Sequence, residues 1–97
     1  MKQHTKEHER KLKWVEEEFV VPAFNEFVKH LEPPMTLTEY DYFVNKLFDK
    51  ESRVQVVSFG SSVDFMTQST MYVLVIGYLG EEHKVLATRP IMFTYGM

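Results

Sequence analysis

The sequence predicts an α+β fold in which two helices precede an antiparallel sheet, and three observations carry this prediction. In the first half of the chain, apolar residues recur at the helical spacing of three and four. In the second half they alternate with a period of two, which is typical of strands. Residues 71–79 have neither charge nor proline and are rich in β-branched and aromatic residues. We therefore expect a single domain over 1–97, with a helical half at about 2–50 and a sheet half at about 53–95.

A long first helix is predicted from residue 2 to about residue 32. Its apolar residues form two neighbouring rows, which are Leu12, Val15, Phe19, Ala23, Phe27 and Leu31, and Val20, Phe24 and Val28. A face this wide indicates a helix that is buried on more than one side. Pro22 lacks a backbone N–H, and in an α-helix its ring clashes with the carbonyl of Glu18. The helix therefore either kinks at Pro22 or ends near Val20 and restarts; the apolar rows continue in phase, which favours a kinked, continuous helix.

The second helix begins at a capping-box pattern after Pro33 and Pro34. In this pattern the Thr36 side chain accepts a hydrogen bond from the backbone N–H of Glu39, the third residue of the helix. The Glu39 side chain in turn accepts one from the backbone N–H of Thr36. Apolar residues at helical spacing then continue to about Lys50. The sequence predicts an ordinary amphipathic helix here.

From Arg53 onward the pattern predicts three antiparallel strands, or four if residues 63–66 form a separate one. The doubling of Val56 and Val57 indicates a bulge or burial on both faces, and residues 60–62 (Gly-Ser-Ser) predict a turn or strand break. The polar residues 80–83 indicate a hairpin. The last strand is expected to be broken or bulged at Arg89 and Pro90 and to lie at a sheet edge, because proline cannot donate to a ladder.

Residues 71–79 are predicted to form the central strand, since an exposed edge of this composition would promote aggregation. Side chains alternate across a strand, so one face carries Met71, Val73, Val75 and Leu79. The other face carries Tyr72, Leu74, Ile76 and Tyr78. Both faces are apolar, and a chain of this size covers one of them. We therefore predict that Tyr72, Leu74, Ile76 and Tyr78, or else their alternates, meet a second molecule. Gly77 is expected to mark a bulge or a close approach of another backbone or an aromatic ring.

Composition argues against several classes of partner. Eleven basic and fourteen acidic residues give a net charge of −3, whereas binding to nucleic acid or to an anionic membrane needs clustered Lys and Arg. Cysteine is absent, so disulfides, thiol catalysis and thiolate metal sites are excluded. The N-terminus is charged and no apolar segment follows it, as a signal peptide would require. The longest apolar run is far shorter than the roughly 20 residues of a membrane helix. We expect a cytoplasmic, soluble protein.

Candidate catalytic and metal-binding residues are few. His4 and His8 are four residues apart, but Thr5 replaces the Glu of the zinc-protease motif and the sequence shows no third ligand. His30 is placed to interact with a helix dipole, and His83 lies in a polar turn. The carboxylates of residues 16–18 point about 100° apart on a helix and do not converge. We therefore predict no metal site, no cofactor and no catalytic residue.

Trp14 falls off the apolar rows of the first helix, and we expect it to contact a protein partner, because tryptophan is favoured at interface centres. Three hypotheses for function follow. The first is a non-enzymatic interaction or regulatory module that forms a homodimer, or binds another protein, through a sheet face or the first helix. The second is a carrier of a small apolar ligand, with a pocket between the helices and the sheet. The third is a hydrolase-type enzyme that uses His and carboxylates brought together by the fold.

Overall fold

The predicted α+β architecture is confirmed in a computed structural model of the chain, which describes residues 2–32, 35–64, 66–67 and 69–95. In chain order the helices and strands are α1 (Lys2–Val15), a π-helical turn (Glu16–Val20), α2 (Val21–Val28), α3 (Leu37–Lys46), β1 (Val54–Asp64), β2 (Ser69–Leu79) and β3 (Val85–Thr94). A short 3₁₀ turn, Glu81–His83, joins β2 to β3. Both helical regions precede the sheet, as the change of period indicated.

The first helix continues past Pro22, and a π-helical turn precedes the proline. Val20 and Val21 both have right-handed helical backbone angles, with φ and ψ of −69° and −50°, and of −63° and −46°. The N–H of Val21 donates to the carbonyl oxygen of Glu16, five residues back instead of four. This wider turn accommodates one extra residue just before the ring of Pro22, where a regular α-helix would be strained. The continuous long helix is confirmed, and a kink at Pro22 stays a prediction.

The capping box at the start of α3 is also confirmed. The hydroxyl of Thr36 accepts from the backbone N–H of Glu39 at 3.1 Å, and a carboxylate oxygen of Glu39 accepts from the N–H of Thr36 at 2.8 Å. The helix ends at Lys46, before the predicted end at Lys50. Leu47 and Phe48 nevertheless remain packed on the core beyond the last helical turn.

The described part of the sheet has three strands in the order β1-β2-β3, all antiparallel, so the prediction that residues 71–79 are central is confirmed. A separate strand at 63–66 does not form, because β1 continues to Asp64; residue 65 lies outside the described residues.

The predicted break at residues 60–62 is wrong. Gly60, Ser61 and Ser62 pair in register with residues 73, 72 and 71 of β2. Small residues are tolerated here because this part of β1 is exposed on both faces.

Two bulges interrupt the ladders. The register shifts between Val56 and Ser58, so Val57 is the extra residue that the valine doubling predicted. The second shift leaves Leu86 unpaired, near the start of β3. The predicted irregularity at Arg89 and Pro90 is wrong, since both residues pair in register with β2.

The direction of the backbone hydrogen bonds explains why Pro90 fits in a regular strand. The N–H of Leu79 donates to the carbonyl oxygen of Arg53 at 2.7 Å, so Leu79 directs its polar backbone groups toward β1. Alternate residues of an antiparallel strand direct their backbone N–H and C=O groups to the same side. The backbone groups of Val75 therefore also point toward β1. Pro90, which lies opposite Val75, faces the free edge of β3. Its missing N–H costs no ladder bond there, and the predicted edge position is confirmed.

The helices cover one face of the sheet and build the core against it. α1 packs mainly on β3 and reaches β2, while α3 packs on β1. Phe24 of α2 stacks on Phe93 with ring centroids 4.0 Å apart and meets the ring of Phe43 edge-on at 5.5 Å. Aromatic side chains thus pack the space between α2, α3 and β3. Glu16 forms an ion pair with Arg89 that ties the π-helical turn to β3.

Candidate interaction surfaces

The two faces of β2 differ sharply in cover. Tyr72, Leu74 and Ile76 are 1%, 0% and 0% exposed, because α1 and α3 cover them. Tyr78, on the same face, is partly buried and stacks on the ring of His8 at 4.3 Å. The set that the sequence analysis named first therefore lies in the protein's own core, and it does not form an outward surface. The alternate set faces away from the helices.

This second side of the sheet, here called the outer face, is apolar along β2, and the flanking strands β1 and β3 mix apolar with uncharged polar side chains. Its apolar side chains are Val57, Met71, Val73, Val75, Leu79, Val85 and Met92, and Met92 is 67% exposed. None of the helices in the described part of the chain packs on it. An apolar sheet face left open in this way is a typical interaction surface.

Charge is confined to the ends of the outer face. By register, Arg53 lies at one end beside Leu79, and Asp64 lies at the other end. Among the described side chains between these ends, the polar ones are uncharged: Ser58, Ser62, Thr88 and Thr94. Gln55, on this side by register, turns its side chain to the segment before β1 and donates to the carbonyl oxygens of Asp49 and Ser52. The outer face thus presents no charged group at its centre.

Gly77 sits at the middle of the outer face and is closely covered by side chains. It pairs in register on both sides, so the bulge predicted there is not present. A Cβ on Gly77 would lie 2.9 Å from Cγ1 of Val57 and 3.3 Å from Cγ1 of Val85. The close approach that was expected from a backbone or an aromatic ring comes instead from two valines of the flanking strands.

A second surface runs along the free edge of β1, where α3 lies beside the strand. An open groove of about 140 Å³, here called the edge groove, is lined by Val44, Asn45, Phe48, Gln55, Val56 and Phe59. The sequence pattern did not predict this groove, because residues 60–62 are typical of a turn or strand break. One pattern in the sequence could have indicated it. Residues 54 and 56 face one side before the bulge at Val57, and residues 59, 61 and 63 continue on that side after it, one position out of phase.

Trp14 lines an apolar groove at the surface, between the first helix and the segment that leads into β1. The groove has a volume of about 480 Å³ and is lined by Lys11, Trp14, Val15, Glu18, Phe19, Phe48, Ser52 and Val54. The indole is exposed, and Nζ of Lys11 lies 5.8 Å from its centroid. Phe19 also lines an adjoining groove of about 360 Å³ between α2 and α3. The exposed position expected for Trp14 is present; its contact with a partner stays a prediction.

The described histidine side chains lie apart from one another. His8 is stacked on Tyr78, Nε2 of His30 lies 3.7 Å from Oε1 of the exposed Glu26, and His83 is exposed in the 3₁₀ turn. The side chain of His4 lies outside those that the structure describes. Within the described residues there is no group of three or more His, Asp or Glu side chains that could hold a metal ion.

Two buried tyrosines anchor the chain between helix and sheet. Tyr40 donates from its hydroxyl to the carbonyl oxygen of Val73, and Tyr72 donates to that of Met35 at 2.8 Å. Burial raises the pKa of Tyr40 well above its usual value, and the neighbouring Tyr72 adds to the effect. Burial likewise raises the pKa of Tyr72. Both phenols therefore stay neutral donors that hold structure together. At the surface, hydrogen bonding to Lys29 lowers the pKa of Glu26.

The helices of the described part of the chain are too short or too polar to cross a membrane. No protein-family model matches the chain, and no curated protein or solved structure does so either.

Proposed function

We propose that the protein is a small, non-enzymatic interaction module that self-associates as a homodimer through the outer face of its sheet. The observation that supports this most directly is the outer face itself, which is apolar, uncharged at its centre and left open by the helices. As a dimer, the protein would act as a regulator or adaptor, presenting its helical surfaces to further partners.

A second copy is the partner that this surface fits best. A two-fold dimer brings the same patch of both molecules together, so the patch has to be complementary to itself. Valine and methionine side chains with no central charge meet that requirement, because nothing in the patch repels its copy. The chain carries a net charge of −3, and the acidic groups responsible lie away from the centre of the outer face.

The size of the outer face fits a weak dimer. β2 has eleven residues. With a rise of about 3.3 Å per residue and strands about 4.8 Å apart, three strands cover roughly 500 Å². Two such faces bury about 1,000 Å² together, which is near the lower limit for a specific interface. We expect two sheets packed face to face about 10 Å apart, as in a β-sandwich, with a dissociation constant in the micromolar range.

The test is a charge placed on the outer face. Met92 is the most exposed apolar side chain of that face, so Met92→Lys leaves the fold intact and puts a charge into both halves of the dimer. Met66 is 94% exposed in the turn between β1 and β2, and Met66→Lys makes the same chemical change elsewhere. Sedimentation equilibrium over a concentration series should show a dimer for the wild type and Met66→Lys, and a monomer for Met92→Lys.

Two results would overturn the proposal. One is a wild-type protein that stays monomeric up to concentrations of hundreds of micromolar. The other is a Met92→Lys variant that dimerises as strongly as Met66→Lys, which would place any interface elsewhere. Circular dichroism of all three proteins checks that the fold is unchanged.

A second candidate function is favoured by the Trp14 groove, whose volume of about 480 Å³ falls in the range of small-ligand sites. The sequence predicts a pocket between the helices and the sheet, and this groove opens at the surface where the first helix meets the start of β1. Its aromatic walls suit an apolar molecule; both Lys11 and Glu18 line the groove, so a negative group on the ligand would lie at the Lys11 side. Because Trp14 is the only tryptophan, its fluorescence reports occupancy directly. A saturable shift of its emission on titration with decanoate supports this function, and an unchanged spectrum contradicts it.

A further inference from the structure

Several basic side chains of the first helix gather on one side of it. Lys6, Arg10 and Lys13 follow one another at spacings of four and three residues, which places them on one face of α1. Together with Glu9, and with Arg89 of β3, they line an open cleft of about 210 Å³, here called the basic cleft. The fold thus brings Lys and Arg together at one place, although the composition of the whole chain does not indicate a cluster.

The basic cleft is positive within a chain that is negative as a whole. In the described part of the chain, four of the eleven basic residues and one of the fourteen acidic residues line it. Outside these five residues, acidic residues outnumber basic ones by thirteen to seven. A cleft lined by one sign of charge raises the local concentration of small ions of the opposite sign. A large polyanion, by contrast, is also repelled by the rest of the surface.

The cations that α1 contributes are not neutralised by neighbouring side chains. Within the described residues, no carboxylate forms an ion pair with Lys6, Arg10 or Lys13, and Glu9 is likewise unpaired although it lines the cleft beside them. Like charges four residues apart, such as Lys6 and Arg10, destabilise a helix. An anion bound among these side chains would remove that cost.

Arg89 is oriented toward the basic cleft by its bond to Glu16. The Nε–H of Arg89 donates to a carboxylate oxygen of Glu16, and both side chains are partly buried. A guanidinium has five N–H donors, and no described residue accepts from the four on the Nη atoms of Arg89. Because the guanidinium is already held in place, less rotamer freedom is lost when an anion binds to it.

Charge and size together select a phosphate group as the ligand. When Glu16 is counted with the lining residues, the site has two more positive than negative charges. A phosphate monoester carries about −1.5 to −2 at pH 7 and offers three acceptor oxygens, so it matches this surplus better than a single carboxylate does. The cleft volume of about 210 Å³ is below the roughly 300 Å³ at which sites for drug-sized ligands begin. The ligand is therefore a small one.

Two features argue against a nucleic acid or a membrane as the partner. The described residues that line the cleft include no aromatic ring, whereas single-stranded nucleic acids are bound by stacking their bases on aromatic side chains. The basic face from Lys6 to Lys13 is also short, about 10.5 Å at a rise of about 1.5 Å per residue. The exposed Glu17 follows Lys13 four residues later. A long polyanion would therefore meet acidic groups just beyond the cleft.

We propose that the basic cleft binds a small, soluble molecule through a phosphate monoester group. Arg10 and Arg89 donate to the phosphate oxygens through their guanidinium forks, and Lys6 and Lys13 act as point charges beside them. This inference goes beyond the proposed homodimer, because the cleft lies on the helix side of the sheet and away from the outer face.

The first test is a titration of the ¹⁵N-labelled full chain with inorganic phosphate and with methyl phosphate, followed by two-dimensional NMR. The signals of Lys6, Arg10, Lys13 and Arg89 should shift in a saturable way with both compounds. Sodium chloride and sodium acetate at the same ionic strength are the controls, because screening alone acts with any salt. Neither control should give saturable shifts at these four residues.

The second test compares two lysines of α1. Lys13→Gln removes one cation of the basic cleft, whereas Lys11→Gln removes the same charge from the separate groove beside Trp14. Both lysines are exposed, so the two variants should fold alike and have the same net charge. Lys13→Gln should weaken the binding of methyl phosphate about fivefold, or by about 1 kcal/mol. Lys11→Gln should weaken it by less than about twofold, since its charge is screened at that distance.

Two further variants complete this comparison. Adding Arg10→Gln to Lys13→Gln should remove saturable binding, because two of the four cations of the cleft are then lost. Met92→Lys should bind methyl phosphate as the wild type does, so the result is independent of the proposed homodimer. Circular dichroism checks the fold of each variant.

The inference fails on any of four results. One is a set of shifts that sodium chloride reproduces, which would make the cleft a screened charge cluster only. Another is equal weakening by Lys11→Gln and Lys13→Gln. A third is tighter binding of a single-stranded oligonucleotide, or of phosphatidylcholine vesicles that contain phosphatidic acid, than of methyl phosphate. The fourth needs the wild type alone: saturable shifts that leave residues 6–13 and Arg89 unchanged would place the phosphate elsewhere.

Discussion

The hydroxyl of Tyr40 donates a hydrogen bond to the carbonyl oxygen of Val73 at 2.5 Å, and this bond joins α3 to the central strand. Tyr40 is almost fully buried, and its ring centroid lies 4.9 Å from that of Tyr72 and 5.9 Å from that of Phe59. It therefore connects the hydrophobic core to the edge of β1. These contacts hold α3 against β1 and β2.

Tyr40→Phe is predicted to lower the free energy of unfolding at neutral pH by about 1 kcal/mol, because it removes one hydrogen bond and little packing. Urea unfolding followed by circular dichroism measures the change. Tyr42→Phe makes the same substitution two residues on, at an exposed ring, and should change the free energy by less than about 0.5 kcal/mol. Equal effects of both variants would show that the bond to Val73 contributes nothing.

Stability is predicted to fall at alkaline pH because of the same residue. Burial raises the pKa of Tyr40 above the value of 10.0 that holds when the chain is unfolded. The folded state thus favours the neutral phenol, and its stabilising effect is complete below pH 10 and declines as the pH rises above it. In urea unfolding curves above pH 10, the wild type should lose stability faster than Tyr40→Phe. Because burial also raises the pKa of Tyr72, the stability of Tyr40→Phe still depends on pH in this range. Parallel losses in the two proteins would contradict the assignment.

Gly77→Ala is predicted to destabilise the protein by about 1–2 kcal/mol, the usual cost of an extra methyl group in a packed region. The new Cβ would lie 2.9 Å from Cγ1 of Val57, and a β-branched side chain has little rotamer freedom to move away. Gly60→Ala is the control, because a Cβ there meets nothing within 4 Å. Gly60→Ala should be neutral or slightly stabilising. Thermal unfolding of both variants measures the difference.

A compensating variant separates steric crowding from other effects at Gly77. Val57→Ala removes the nearest methyl group, so the double variant Gly77→Ala, Val57→Ala should recover about half of the lost stability or more. Strictly additive losses would show that crowding against Val57 is not the cause.

Much of the architecture could be predicted because local signals agreed with the tertiary fold. The capping box at Thr36 and the charge-free strand at 71–79 each satisfied local chemistry and global packing together. The valine doubling at Val57 likewise marked a real bulge. At residues 60–62 the local signal misled, because small polar residues are typical of turns and also of an exposed strand.

The choice between the two faces of β2 could not be made from the strand alone. Tyr72 and Leu74 are no more apolar as a set than Val73 and Val75, and the helices decide which set is buried. That decision depends on long-range contacts, such as Tyr72 with Met35 and Phe24 with Phe93. Periodicity along the sequence carries no record of such contacts.

Glu16 and Arg89 are predicted to be energetically coupled across the helix–sheet boundary. The π-helical turn directs the carboxylate of Glu16 toward β3, where Arg89 lies on the helix-facing side, and both side chains are partly buried. A double-mutant cycle with Glu16→Gln and Arg89→Gln should give a coupling of about 1 kcal/mol, as for a charge-assisted bond near the surface. High salt should reduce the coupling, since such pairs are screened.

The neighbouring carboxylate provides the matched control for this cycle. Glu17 is exposed and belongs to the same run of three, so Glu17→Gln should change stability by less than about 0.5 kcal/mol and show no coupling to Arg89→Gln. The coupling to Glu16 measures how firmly the π-helical turn is held on the sheet. If Glu16 and Glu17 couple equally to Arg89, long-range charge balance, and not the ion pair, holds the first helix in place.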